Sequence, residues 1–229
     1  MKKILFIAPR NPFSGRYSGD VIRAKKIIEF LSRNNYVKVI SNNNKDLKIK
    51  KSRFSYQGFK EPSLIRKIVY IIISLIKLKP LQLGFFYCPK LEKYVNLNAN
   101  NFDLIFFQSF RVAQYLNKDL KEKCLLDMGD LMSKNYEQTR KSTFFLNPIK
   151  IVYIIEGLLV KKYENFCFTN FNKIFLFSKK EIKSLSKEFH KKVFQISFGI
   201  SQIKKLYKFR KDNYKIIFIG NIKYTPNRK

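Results

Sequence analysis

Residues 3–40, KILFIAPRNPFSGRYSGDVIRAKKIIEFLSRNNYVKVI, read as strand, loop, helix and strand in one stretch. Lys3 to Ala8 is a compact apolar run of the kind that parallel sheets bury on both faces. Pro9 to Gly19 is polar and broken by glycine and proline, hence a loop. Ser18 or Asp20 then caps a helix whose Val21, Ala24, Ile27, Ile28 and Leu31 keep helical spacing. Tyr36 to Ile40 forms a second strand. A β-loop-α-β unit at the amino terminus opens a doubly wound α/β fold with a parallel sheet.

The same alternation continues outward from this unit. Residues 41–60 are polar, lysine-rich and expected to be mostly loop. Ser63 to Lys79 reads as a helix ended by Pro80, and Pro89 to Asn96 as a short one. Asp103 to Phe107 is the third clear strand, with a helix expected near Phe110 to Asn117. Lys123 to Leu126 is a fourth strand, ending in Asp127-Met128-Gly129-Asp130. Pro148 starts a long helix with Ile151, Ile154, Ile155, Leu158 and Leu159 on one stripe. Lys173 to Phe177 and Val193 to Ile196 are further strands, separated by a helix over Lys179 to Glu188. No internal repeat is present. The closing residues 214–227 read as an apolar strand, a glycine turn at Gly220 and a Pro-Asn loop. The expected organisation is therefore one Rossmann-like domain over residues 1–200, a linker over 201–213, and the first strand and loop of an incomplete second domain over 214–229. A lone first strand has nothing to pair with, so the sequence is expected to carry half of a larger machine.

Composition narrows the partners. Forty-seven Lys and Arg face sixteen Asp and Glu, a formal charge of +31, which points to polyanions: nucleic acid, an anionic membrane face or phosphorylated ligands. A second reading is compositional drift, because Lys, Asn, Ile, Phe and Tyr are all enriched and the lysines are scattered. No nucleic-acid recognition motif is present, and the aromatics follow core periodicity, which argues against a nucleic-acid partner. Cys88, Cys124 and Cys167 are widely spaced and the chain has one histidine, His190. That excludes a zinc or disulfide framework and fits a reducing cytoplasm. The apolar run Ile68 to Ile76 is about half of what a bilayer requires and is hemmed by Arg66, Lys67, Lys77 and Lys79. It lies on a surface or belongs to the core.

Ligands of open parallel sheets bind beyond the carboxyl ends of the strands. The loop Ser14 to Arg23 has neither a GxGxxG fingerprint nor the GK[ST] of a P-loop. It is either an anion-facing loop, with Ser18, Gly19 and Asp20 opening the helix, or a connector with an ordinary cap. Asp127 and Asp130 just past a strand end either orient a sugar hydroxyl or assist proton transfer, or else Asp130 is the N-cap of the next helix. Glu156 and Glu164 fall about 80° apart around the long helix and are expected to pair with Lys161, Lys162 or basic loops. Ser178 with Glu181 fits a capping box, and His190 is a solvated residue.

Taken in order, KILFIAPRNPFSGRYSGDVIR, KPLQLGFFYCPKLEKYV, FDLIFF, LLDMGDLMSKNYEQ, IEGLLVKKYENFCFTNFNKIFLFSKKE and the closing IIFIGNIKYTPN resemble the N-terminal half of GT-B glycosyltransferases of the family-4-like kind. The likeness covers nearly the whole chain and lies in order and spacing. It implies transfer of a sugar from a nucleotide-sugar donor, used as substrate with no other cofactor and no metal, to a glycan or lipid-linked acceptor in polysaccharide synthesis. It also implies that Ser18, Gly19, Asp20 and Arg23 face a cleft, with Arg23 balancing phosphate charge, and that Asp127 and Asp130 face the acceptor. Gly220 and Asn221 would begin the loop approaching the donor phosphates. The donor grip in that family lies in a C-terminal domain, and no histidine stands near Asp127, so little turnover is expected of this chain alone. The alternatives are a basic binding module and a partner subunit for a separate C-terminal half. The expected location is the cytoplasm, peripheral on the inner membrane face.

Overall fold

The computed structural model describes residues 1–15, 18–142 and 147–197. The expected linker, the last strand and Gly220 and Asn221 lie outside the described residues.

β1 (Lys3–Ala8) is buried from its second residue onward and forms the centre of the sheet. α1 (Gly19–Leu31) leads to β2 (Tyr36–Asn43), and the unit read from residues 3–40 is present as expected. Next come β3 (Leu47–Lys50) and β4 (Phe54–Lys60), then α2 (Leu64–Ile76), α3 (Leu81–Phe86) and α4 (Pro89–Asn98). The second half of the chain gives β5 (Leu104–Gln108), β6 (Cys124–Gly129), α5 (Met132–Ser142), α6 (Ile149–Asn170), β7 (Lys173–Leu176), α7 (Lys179–Lys183) and β8 (Val193–Gln195).

The described strands form one sheet in the order β3-β4-β2-β1-β5-β6-β7-β8. Every pairing is parallel except β3 with β4. This is an α/β, Rossmann-like, doubly wound sheet. Alternate side chains of the central strands feed two cores. Ile4, Phe6, Ala8, Val37 and Val39 meet Ala24 and Ile28 of α1 on one face. Leu5, Ile7, Ile40, Phe107 and Leu126 meet Leu83, Leu91, Val95, Val160 and Phe168 on the other.

Several expectations are corrected. Residues 41–60 are not mostly loop but include two strands. β3 alternates Leu47 and Ile49 with two exposed lysines, so its lysines are the solvent face of an edge strand. The stretch 110–117 makes only a 3-10 turn at Ala113–Tyr115, and Lys179 to Glu188 splits into α7 and a second turn at Lys187–Phe189. α3 was not foreseen, whereas α5 is the helix that one of the two readings of Asp130 expected after it. On α6 the buried residues are Glu156, Val160, Tyr163, Glu164, Cys167 and Phe168, while Ile151, Ile155 and Leu158 of the expected stripe are exposed.

Candidate functional site at the strand ends

The chain leaves β1 toward β2 on one side and returns to β5 on the other, so the order reverses between β1 and β5. At such a reversal neighbouring loops diverge, and sheets of this class take ligands in the crevice this opens at the carboxyl ends. β1 runs into Arg10, β5 into Ser109 and Arg111, and β6 into Asp130.

Arg23 and Asp127 form the floor. Both are buried, at 6% and 3% exposure. Arg23 Nε donates to Asp127 Oδ2 at 2.6 Å and its Nη2 to Oδ1 at 2.8 Å. The guanidinium also lies over the Phe177 ring, 4.4 Å from its centroid. The cleft role implied for Arg23 and the acceptor role implied for Asp127 thus meet a geometry in which the two satisfy each other. Neither points freely outward. Asp20 pairs with Arg10 at 2.7 Å, half-exposed. Burial works to raise the Asp20 pKa, but the Ser18 hydroxyl, the Arg10 charge and the Val21 N–H together hold it below its ordinary value. The Asp20 carbonyl accepts from Gln108 Nε2 at 2.8 Å, which ties α1 to the end of β5. Ser18 is the N-cap residue, though its hydroxyl makes no cap bond, and Gly19 opens the helix on the exposed side.

Asp130 stands at the rim, exposed, with protein packed closely enough around it for desolvation to raise its pKa. Arg23 partly offsets that rise and Asp127 adds to it. Glu181 belongs to the same group. Desolvation and the Asp130 charge raise its pKa, and its Oε1 accepts from the Leu131 N–H at 3.4 Å. Ser178 caps α7 as expected, accepting from the Glu181 N–H, but the Glu181 side chain turns to the β6 loop instead of closing the box. Asp127 and Asp130 therefore face the buried Arg23 guanidinium, and Glu181 stands beside Asp130.

Beside Asp20 stand two cations that sequence reasoning missed. Arg10 and Arg111 both lie over the Phe86 ring, at 5.2 and 4.9 Å from its centroid. The Phe86 carbonyl accepts from Asn42 Nδ2 at 2.8 Å and from the Tyr115 hydroxyl at 3.2 Å, which fixes the backbone that carries the ring. Arg111 Nε donates to Gln82 Oε1 at 2.8 Å, and Gln82 Nε2 donates to the Tyr136 hydroxyl at 2.7 Å. Desolvation and the nearby Arg10 charge lower the Arg111 pKa from a high starting value, which leaves it a cation. Ser109 holds φ of 82°, a left-handed conformation that costs a serine on the order of 1–3 kcal/mol. Strain of that kind concentrates where a loop is held for a purpose, and here the loop carries Arg111. The residues flanking FDLIFF offered a signal: an arginine four positions past a buried strand.

Glu156 and Glu164 do not pair with lysines as expected. Glu156 accepts from the Leu81 and Gln82 N–H groups at 2.7 and 3.2 Å, and Glu164 from the Ser133 N–H at 3.0 Å and the Ser133 hydroxyl. Each carboxylate serves orphan donors at the start of a helix from outside it. His190 is exposed, as read from the sequence. A cavity of about 690 Å³ lies beside the crevice between α5, α6 and the α7 region, and its wall includes Leu131, the residue after Asp130.

Among solved structures the chain is similar to a sucrose-phosphate synthase from Thermosynechococcus elongatus. Identity is 13% over 86% of this chain and 90% of that one, with a TM-score of 0.47. No family model and no curated protein matches. The fold assignment stands on the sheet itself. Among the described residues no three ligating side chains gather as a metal site.

Proposed function

We propose that this chain is the acceptor-side domain of a glycosyltransferase that moves a sugar from a nucleotide-sugar donor to a glycan or lipid-linked acceptor. The observation that carries the reading is the crevice at the β1/β5 reversal. It gathers Arg10 and Arg111 on the Phe86 ring, with Asp20 ion-paired to Arg10, and groups Asp130 with Glu181 beyond the end of β6. Two guanidinium groups on one aromatic platform suit a diphosphate, whether that of a nucleotide sugar or of a lipid-linked acceptor. A rim carboxylate whose pKa is raised above its ordinary value by desolvation suits a hydroxyl that must lose its proton. Asp130 has that place, and the cavity beyond Leu131 gives an acceptor room beside it. The order of motifs along the sequence supports the same assignment. Arg23 and Asp127 act here as the support that holds α1 and β6 in position. The resemblance to family-4-like enzymes further suggests a role in cell-surface polysaccharide synthesis, with binding as the measurable event for this chain.

The test is calorimetric titration with UDP, pyrophosphate and farnesyl diphosphate, against the wild type and R10A/R111A. Preferential binding of UDP marks the donor diphosphate, and preferential binding of the farnesyl compound marks a lipid-linked acceptor. Either affinity should fall about tenfold or more in the double variant, as expected for loss of two charge-assisted contacts. No diphosphate binding, together with steeply salt-dependent binding of duplex DNA, would overturn the reading in favour of a basic binding module.

A further inference from the structure

Helix α2 is built inside out. The side that meets the protein carries Lys67, Tyr70, Ile71 and Ser74, spaced three and four apart, with Ser74 the one buried residue of the helix. The outward side carries Leu64, Ile65, Ile68, Ile72 and Ile76, with exposures of 71, 76, 50, 52 and 76%. An amphipathic helix in water turns its apolar stripe inward, and a monomer rarely leaves so large an apolar patch uncovered.

The patch does not end with α2. Ile151, Val152 and Ile155 on the first half of α6 are also exposed. An open groove of about 210 Å³ with Ile71 and Val152 on its walls joins the two helices. The charged residues of α2 and its carboxyl-terminal flank are all basic, with Glu61 paired to Lys67 on the inward side. Between Glu61 and Glu92 the sequence has no acidic residue, whereas Arg66, Lys77 and Lys79 border the exposed stripe. The whole chain carries +31.

We infer that α2 and the adjoining half of α6 form a docking surface for an anionic lipid bilayer. α2 has 13 residues, about 20 Å of helix, too short to cross a bilayer core of about 30 Å. No helix among the described residues is long and apolar enough to do so. α2 lies in the plane of the interface, its isoleucines among the acyl chains and its flanking cations at the phosphates. A second copy of the chain fits this face poorly. Two such faces brought together would oppose their basic borders, whereas a bilayer supplies the countercharge. The inference does not depend on the sugar-transfer reading, and either can fail alone.

The chain has 13 tyrosines but no tryptophan, so I72W introduces a single indole, excited selectively beyond the tyrosine band, on the outward stripe, and F30W does the same on α1 across the sheet. With vesicles of phosphatidylglycerol, I72W should shift to the blue and be quenched by brominated acyl chains, while F30W stays unchanged. Co-sedimentation with the same vesicles should weaken about tenfold or more in I65S/I72S/I76S, since each buried methylene contributes to partitioning. Those positions are exposed, and an unaltered circular dichroism spectrum would show that the variant keeps its fold. Four results would overturn the inference. One is vesicle binding that is unchanged in the triple serine variant and abolished by salt, which marks scattered lysines alone. Another is I72W emission already blue-shifted without lipid, which marks a face covered by the chain itself. A third is a dimer by light scattering that the triple variant dissociates. The last is no binding to phosphatidylglycerol vesicles at low salt.

Discussion

Arg23 grips Asp127 with two hydrogen bonds, of 2.6 and 2.8 Å, across 104 residues of sequence. The pair fastens α1 to β6 over the intervening β5, beneath the crevice. Forming such a pair brings little net stability, because both ions lose water, but breaking it is costly. R23M should lose about 3–5 kcal/mol, since Asp127 stays buried without its cation. R23M/D127L should be more stable than R23M, because the second substitution removes the stranded charge. Urea unfolding of the wild type, the two single variants and the double variant measures this. Single variants that each lose under about 1 kcal/mol and add without coupling would show that the pair carries no such burden.

Glu156 gives stability a particular pH dependence. Burial raises its pKa above 4.5, against the opposing effect of the Leu81 and Gln82 N–H groups. The folded state therefore holds this proton more tightly than the unfolded one. The contribution is fully present below the unfolded value near 4.5 and is lost as pH rises through the folded value. E156Q has no such proton, and the charge repulsion common to both proteins cancels in their difference. The wild type should thus gain melting temperature relative to E156Q as pH falls from 7 toward 4.5. A constant difference over that range would show that Glu156 titrates normally.

The strands were the legible part of this fold, because KILFIA, YVKVI and DLIFF are dense apolar runs that only a buried strand explains. The edge pair β3–β4 was hidden because its alternation is short and half its positions are lysine. α5 was legible only through a capping reading of Asp130, because its sequence is almost entirely polar and its start depends on Glu164, a carboxylate 31 residues downstream of Ser133. The site was half legible. Asp127 and Asp130 stand at the end of β6 and Asp20 in the first turn of α1, where carboxylates attract notice. That Arg23 belongs to Asp127, and that Arg111 shares the Phe86 ring with Arg10, are facts of tertiary packing that no local pattern encodes.

Gly84 fixes the position of α2. A Cβ there would stand 2.4 Å from the Tyr70 carbonyl oxygen and 2.6 Å from the Ile71 Cα and backbone nitrogen, so the backbones of α2 and α3 touch at this point. No rotamer change can relieve contact with backbone. G84A should force α2 away, at about 1–3 kcal/mol. Because α2 packs largely through its few inward residues, the loss should be local. Trypsin should then cut after Arg66, Lys67 or Lys77 well before the central sheet unfolds. Wild-type resistance in G84A would mean that the two helices separate without consequence.

Arg111 is held at the end of a chain of contacts that begins on α6. Glu156 anchors the start of α3, and Gln82 on that helix bridges the Tyr136 hydroxyl and Arg111 Nε. Y136F removes the acceptor for Gln82 Nε2, so one net hydrogen bond of about 0.5–1.5 kcal/mol disappears and the guanidinium is less well fixed. Diphosphate affinity should fall about three- to tenfold, while melting temperature changes little. A loss of that kind could reflect packing alone, and Q82E separates the two causes. A glutamate keeps the shape and can still meet both Arg111 and the tyrosine hydroxyl, but it neutralises the cation that faces the ligand. If Arg111 acts through its charge, Q82E should bind diphosphate more weakly than Y136F, with a smaller dependence on salt. If Q82E binds as the wild type does, Arg111 is a structural residue and the diphosphate lies elsewhere in the crevice.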